Sequence, residues 1–470
     1  MKRGILIAMT ALLVMVACRH AAMAGEGLFF YDGSHSRFVP LAVKGGDSPW
    51  WDPYGSFGTK NRAPFISAPG CADEEIFGAF TAQLVASSNK SGLLVWSSEL
   101  SAPWGPSVWV NPAVREGDPV PGGGFFGKFT GVPAVAMDPD CKLHVIFRAQ
   151  IMGLPATQDT AIFDWVYAAG DLSGTIAENV VAQEGMSAAY GAGTFLDFPS
   201  GLVLVAAKTG SGAIDLAYWG KLAGTGVSTA NDTGIFWSRY TTSLSWMTPY
   251  SVVREGVCTA TWAPGFTYDG FSSKQPLAIA RDTSGVDAQS RIIFRGKAKG
   301  APSGSDTAIV LGGGSSCPYV APVAVEGAAM PGYIAPAGTF YGDFPDSTLV
   351  ALSKTAALFY NKSLGTAPQK RILHYDLSTT SVDYQAGCDG CDYSGLGNDK
   401  FDTSLGFAVD DSGRPAFTVK PSGYPTGLFA PPGAVGGWWA LLSFNAQAVE
   451  TAQNFDSVSR GFWTFTARMP

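Results

Sequence analysis

Val114-Arg115-Glu116-Gly117-Asp118-Pro119-Val120-Pro121-Gly122 opens a pattern that the chain writes again and again. Its core, Ala113-Val114-Arg115-Glu116-Gly117, returns as Val181-Ala182-Gln183-Glu184-Gly185, as Val252-Val253-Arg254-Glu255-Gly256 and as Val323-Ala324-Val325-Glu326-Gly327. Weaker copies stand at Leu41-Ala42-Val43-Lys44-Gly45-Gly46 and Asp383-Tyr384-Gln385-Ala386-Gly387. The closing glycines recur every 60 to 71 residues or so, the period of a supersecondary unit that buries its apolar faces by stacking on its neighbours. After each core comes a Gly/Pro-rich turn and an aromatic pair, such as Phe125 and Phe129, Phe195 and Phe198, or Phe340 and Phe344. Short apolar runs follow, for example Leu277-Ala278-Ile279-Ala280 and then Arg291-Ile292-Ile293-Phe294, parted by hairpin residues such as Asp282-Thr283-Ser284-Gly285. A last run, such as Ala308-Ile309-Val310-Leu311, leads into the next copy. Four short strands per unit is the propeller count.

The ends of the chain complement one another. Leu28-Phe29-Phe30-Tyr31 reads as a last strand with no unit before it, whereas Ala448-Val449-Glu450 and Gly461-Phe462-Trp463-Thr464-Phe465 begin a unit that stops short. The expected fold is therefore all-β: a single β-propeller of seven four-stranded blades closed by strands from both termini, with six or eight blades as alternatives. Residues 25–470 form that one domain.

Residues 1–24 are expected to be a signal peptide, because Lys2-Arg3 precede an apolar run of about 14 residues and Ala22-Met23-Ala24 offers small residues for cleavage. The run is too short to span a bilayer, and no later stretch is long enough. Val14-Met15-Val16-Ala17-Cys18 also resembles a lipobox, so lipidation of Cys18 is the alternative to simple cleavage. The expected location is secreted or periplasmic, with an outer-membrane lipoprotein as the alternative. The net charge of -7 and the 15% share of charged residues leave no basic footprint for nucleic acid. Six cysteines remain beyond Cys18, an even number suited to an oxidising compartment. Cys71 and Cys141 hold the same turn position in successive units, Cys258 and Cys317 lie near the junction of two units, and Cys388 with Cys391 could close a local loop.

On these motifs the chain resembles bacterial exported proteins built from tandem NxxGxxAF repeats, the choice-of-anchor group. Val114 to Gly122 matches their V-A-R-E-G-D-P-A-P-G-like stretch, and Asp410-Asp411-Ser412-Gly413-Arg414-Pro415-Ala416-Phe417 matches N-x-x-G-x-x-A-F with Asp for Asn. The resemblance implies export and repeat architecture rather than a chemistry.

Catalytic signatures are sparse. There is no G-x-S-x-G, HExxH, Walker or dinucleotide loop. Glu116, Glu184, Glu255 and Glu326 recur, and a residue repeated in each unit is read as solving the same turn problem each time. Asp389, Asp392, Asp399 and Asp402 cluster in a Gly-rich excursion that could hold Ca²⁺, with solvated turn carboxylates as the plainer reading. His144 and His374 fall inside strand runs and read as packed or surface residues, whereas His35 sits in a turn. Trp50, Trp51 and Tyr54, with His35, are the candidate ligand-binding residues, because aromatics in Gly/Pro loops stack on sugars. The leading expectation is a noncatalytic exported propeller that binds a glycan, a cell-surface component or a protein through loops at one end. A secreted carbohydrate-active hydrolase or lyase with an Asp/Glu pair in the funnel is the alternative, and a structural surface or matrix protein is a third.

Overall fold

The computed structural model describes residues 26–32, 37–55, 64–67, 71, 76–85, 91–99, 107–189, 193–199, 202–209, 212–241, 245–271, 277–281, 290–313, 317, 321–389, 400–401, 407–409, 413–420, 427–430, 440–442, 445–453 and 462–468. The expected signal peptide and Cys18 lie outside them. Among the described residues the long elements are all strands, and no helix is long and apolar enough to cross a membrane.

Four sheets have the form of propeller blades. The first runs from Phe125–Phe129 through Ala134–Met137, Lys142–Met152 and Thr160–Ala168 to Ala177–Gln183. The second centres on Val205–Lys208, Ile214–Ala223, Thr233–Thr241 and Tyr250–Arg254. The third is Leu277–Arg281, Ser290–Lys297, Thr307–Gly312 and Ala321–Val325, and the fourth is Val350–Leu352, Ala356–Lys362, Lys370–Asp376 and Ser381–Cys388. All are antiparallel: in the third and fourth every strand pairs with the next, and in the first Phe125–Phe129 and Ala134–Met137 both pair with Lys142–Met152.

The expectation of seven blades, or of six or eight, is corrected by the sheet pairing: the arrangement is propeller-like with four blades. The strands from the two ends of the chain do pair with one another, as expected, but within a larger sheet. Glu26–Asp32 pairs with Phe462–Arg468, which pairs with Asn445–Gln453, and that strand runs parallel to Phe65–Ser67 through Phe65↔Ala452 and Ile66↔Gln453. This contact fuses the terminal strands with Ile76–Gln83, Ser91–Glu99 and Ser107–Arg115 into one eight-stranded sheet. An open edge satisfies its backbone groups with whatever strand it meets, so counting repeat copies did not count separate sheets. A five-stranded sheet carries the strands between Lys400 and Leu442 on the other flank of the four blades.

Neighbouring sheets stack face to face, which explains why the strand runs are continuously apolar rather than alternating. Side chains along a strand point to opposite faces, and here both faces are covered. Val145 packs toward Phe77 and Leu93 of the eight-stranded sheet, whereas the next residue, Ile146, packs toward Leu216 and Phe236 of the second blade. Ile292 joins Ala217 and Trp237, whereas Ile293 joins Phe359 and Leu373 of the fourth blade. Each such large side chain removed from water contributes about 1.5–3 kcal/mol.

The recurring Glu is a turn device. Thr307 Oγ1 donates to Glu326 Oε2 at 2.9 Å and accepts from the amide of Phe344 at 3.2 Å. Thr233 makes the same relay between Glu255 (2.7 Å) and Phe271 (2.9 Å). In the eight-stranded sheet the Ser91 amide donates to Glu116 at 3.2 Å, and the Ser91 hydroxyl takes the amide of Phe129 at 2.9 Å. The motif thus ties the end of one unit to the aromatic that begins the next. Disulfides join Cys71 to Cys141 and Cys258 to Cys317, the first linking the eight-stranded sheet to the first blade. Cys388 is also disulfide-bonded, and Cys391 lies outside the described residues.

Candidate functional site

The strand Lys370–Asp376 presents His374 at a bulge: the register with Ser381–Cys388 shifts between His374 and Tyr375. Tyr384 lies directly opposite in the register, and the two rings stack with centroids 4.2 Å apart and planes 17° from parallel. Asp383, one residue earlier, places Oδ1 at 2.5 Å from His374 Nδ1 and also accepts the Tyr384 amide at 2.9 Å. A carboxylate on Nδ1 fixes the tautomer and orientation of the ring, leaving Nε2 as the nitrogen that can exchange a proton. Nε2 is buried without a hydrogen-bond partner in a residue only 6% exposed.

That nitrogen borders a cleft of about 550 Å³ at the end of the sheets where the Val350–Leu352 to Ala356–Lys362 and the Lys370–Asp376 to Ser381–Cys388 turns lie. Three cations line it: Arg291 from the third blade, Lys354 from the first of these turns, and Arg414 just before Pro415–Lys420. Asp376 lines it too, held below the usual carboxylate range by the hydroxyl and amide of Ser378. Gly413 closes one wall with φ 77°, and a Cβ there would stand 3.2 Å from His374 Nε2, so the absent side chain leaves room beside the buried nitrogen. The Tyr384 hydroxyl donates to the Gly413 carbonyl at 3.4 Å. A histidine oriented by a carboxylate, an aromatic hydroxyl and three cations can together bind an anionic group and move a proton beside it.

His144 shows the contrasting case. It is fully buried, with Nδ1 2.9 Å from Asp164 and Nε2 3.7 Å from Asp138, and Tyr240 covers its ring at 4.5 Å. The Trp246 indole donates to the same Asp164 at 2.9 Å. This cluster joins the first blade to the second.

Of the residues singled out in the sequence, Trp51 is 84% exposed, Trp50 is half-buried and Tyr54 is buried at 4%. His35, Asp392, Asp399 and Asp402 lie outside the described residues. Asp389 pairs with Lys370 at 3.9 Å. Among the described residues no group of three or more His, Cys, Asp or Glu side chains is arranged to hold a metal ion. Arg291, Lys354, His374, Tyr384 and Arg414 were not singled out as a site. The Asp383-Tyr384 pair across a hairpin from His374 was a readable signal, but nothing local marks arginines contributed by separate sheets.

No protein-family model matches the chain, and no curated protein matches its sequence, so the likeness to the NxxGxxAF proteins remains one of motifs. Among solved structures, a polysaccharide lyase, Uly1, aligns with 94% of this chain and 97% of its own at 8% identity and a TM-score of 0.44. A Trypanosoma rangeli sialidase in complex with sialic acid aligns with 91% of this chain at 9% identity and a TM-score of 0.39, this chain spanning 57% of it. The fucose-specific lectin from Aleuria aurantia aligns with 82% of this chain and 96% of its own at 10% identity and a TM-score of 0.36. Likenesses this distant carry nothing about chemistry.

Proposed function

We propose that the chain is a carbohydrate-active enzyme that cleaves an acidic glycan by elimination in the His374 cleft. The supporting observation is the meeting of three cations with a carboxylate-oriented histidine whose Nε2 is buried and unpartnered. Arg291, Lys354 and Arg414 would hold a uronate carboxylate, and the charge they supply favours loss of the proton on the carbon beside it. In that step the C–H bond breaks, its electron pair becomes the new C=C bond, and the C–O bond to the leaving sugar breaks. His374 Nε2 takes the proton, and the Tyr384 hydroxyl would give one to the leaving oxygen. The proton-handling pair is thus His374 with Asp383 rather than two carboxylates. Hydrolysis by a carboxylate pair fits less well, because Asp376 is the lone carboxylate among the described lining residues. The disulfides suit an exported enzyme that meets polysaccharide outside the cytoplasm.

The test is incubation of the purified protein with alginate, polygalacturonate and hyaluronan, following the ultraviolet absorbance of unsaturated uronate ends. His374→Gln should lower kcat by about 10²–10⁴-fold, the usual weight of general acid–base catalysis. Arg291→Ala should raise KM as well. Binding of these polymers without any unsaturated product, or full turnover by His374→Gln, overturns the proposal.

A further inference from the structure

The loop at Trp51 follows the strand Arg37–Val43, and such loops leave the sheets at the end opposite the turns that build the cleft. We propose that Trp51 is a second, separate glycan contact: a platform on which a neutral sugar ring stacks. The repeat itself separates the structural aromatics of this loop from the surplus one. Trp50 packs over Gly92, where a Cβ would meet its ring at 2.7 Å, and Trp262 packs in the same way over Gly296 at 2.5 Å. Tyr54 bridges to Leu84 as Tyr268 bridges to Ala298, and both tyrosines are buried. Trp50 and Tyr54 therefore do for their unit what Trp262 and Tyr268 do for theirs. The residue after Trp262 is the buried Ala263, whereas the residue after Trp50 is Trp51, projecting 84% exposed.

Holding Trp51 there takes a backbone that a bulky side chain disfavours. Its φ is 65°, and the other described non-glycine residues with positive φ are Cys141, Cys317 and Thr380, two of them disulfide-bonded. The strain is maintained by the buried Ser48, whose carbonyl takes the Trp51 amide at 2.8 Å, whose amide donates to Asp52 at 3.0 Å and whose hydroxyl takes the Trp50 amide at 3.3 Å. A strained, rigid, exposed indole with no packing role is preorganised for a flat apolar face, and the face of a pyranose is one. Asp47 and Asp52 belong to the same loop, with Asp47 bridged to Pro53 across it. Carboxylates there accept hydrogen bonds from sugar hydroxyls and repel anionic lipids and polyuronates, which separates this contact from the cationic cleft.

Affinity electrophoresis of the full mature protein through gels containing glucomannan, xyloglucan or arabinan tests the proposal, with thermal unfolding alongside. Trp51→Ala should weaken retardation by about 2- to 10-fold, the weight of one aromatic stack. Trp51→Gly should do the same while unfolding at an equal or higher temperature, since glycine accepts the positive φ. Arg291→Ala should leave the retardation intact. Equal retardation of wild type and Trp51→Ala, or none of either by any of the three polymers, overturns the platform. Because the readout is binding of neutral polymers, it stands or falls apart from turnover in the cleft.

Discussion

The two strand histidines show how little a residue's identity says until its surroundings are known. His144 and His374 each donate to, or share a proton with, one aspartate, yet His144 is sealed between sheets and His374 Nε2 borders a cleft. Burial by itself would lower the pKa of His144, but attraction from Asp164 and then Asp138 outweighs it and carries the group up to about 9. The folded value lies above the ordinary 6.5, so the stabilisation is complete below about pH 6.5 and is lost as pH rises through about 9. Asp138, held below its ordinary range despite burial by the neighbouring His144 and by the hydrogen bond from the Lys142 amide, contributes in the opposite sense and is lost in acid. Urea midpoints measured from neutral to alkaline pH should therefore fall across that window, and His144→Gln should flatten the fall. Tyr240 and Lys142, which also face this cluster, titrate higher than usual, so they leave the window to the histidine.

At the scale of the element, one latch recurs between blades. Arg148 follows Phe147 in Lys142–Met152 and Arg295 follows Phe294 in Ser290–Lys297, and each reaches across to the sheet that follows. Arg148 Nε donates to the Phe198 carbonyl at 2.8 Å, and Arg295 Nε donates to the Phe344 carbonyl at 2.7 Å. Both acceptors precede a proline, in Asp197-Phe198-Pro199 and Asp343-Phe344-Pro345. Arg295 also pairs with Asp346 at 2.9 Å. Arg295→Met keeps the apolar stem but leaves a buried carbonyl without its donor, and should cost about 1–3 kcal/mol in equilibrium unfolding. A change within about 0.5 kcal/mol would show that the latch is not a structural contact of weight. The aromatic that opens each unit was visible in the sequence, whereas its arginine was not singled out. Their partnership was not visible either, because it joins residues about 50 apart through the stacking of two sheets.

For the whole molecule, the cross-links act on assemblies of strands rather than on local turns. Cys71 and Cys141 are 70 residues apart, and Cys258 and Cys317 are 59 apart, so each closes a loop of about one repeat. Replacing the first pair by serine should cost about 2–4 kcal/mol, read as a lower urea midpoint that reductant no longer changes further at that bridge. The repeat grammar by itself determined a great deal: strand-rich units, apolar faces buried by stacking, and Glu116, Glu184, Glu255 and Glu326 as turn residues. These are local matters, set by the alternation of side chains along a strand and by the hydrogen-bonding reach of residues close in sequence. Which strands share a sheet was decided only in three dimensions. The parallel pairing of Phe65–Ser67 with Asn445–Gln453 draws the two ends of the chain into one eight-stranded sheet and leaves four blades, because backbone hydrogen bonds carry no sequence signature of their partner. The cleft was decided there as well. His374 and Tyr384 meet across one hairpin, but Arg291 and Arg414 reach them from other sheets, and charges so distant in sequence converge only when the sheets stack.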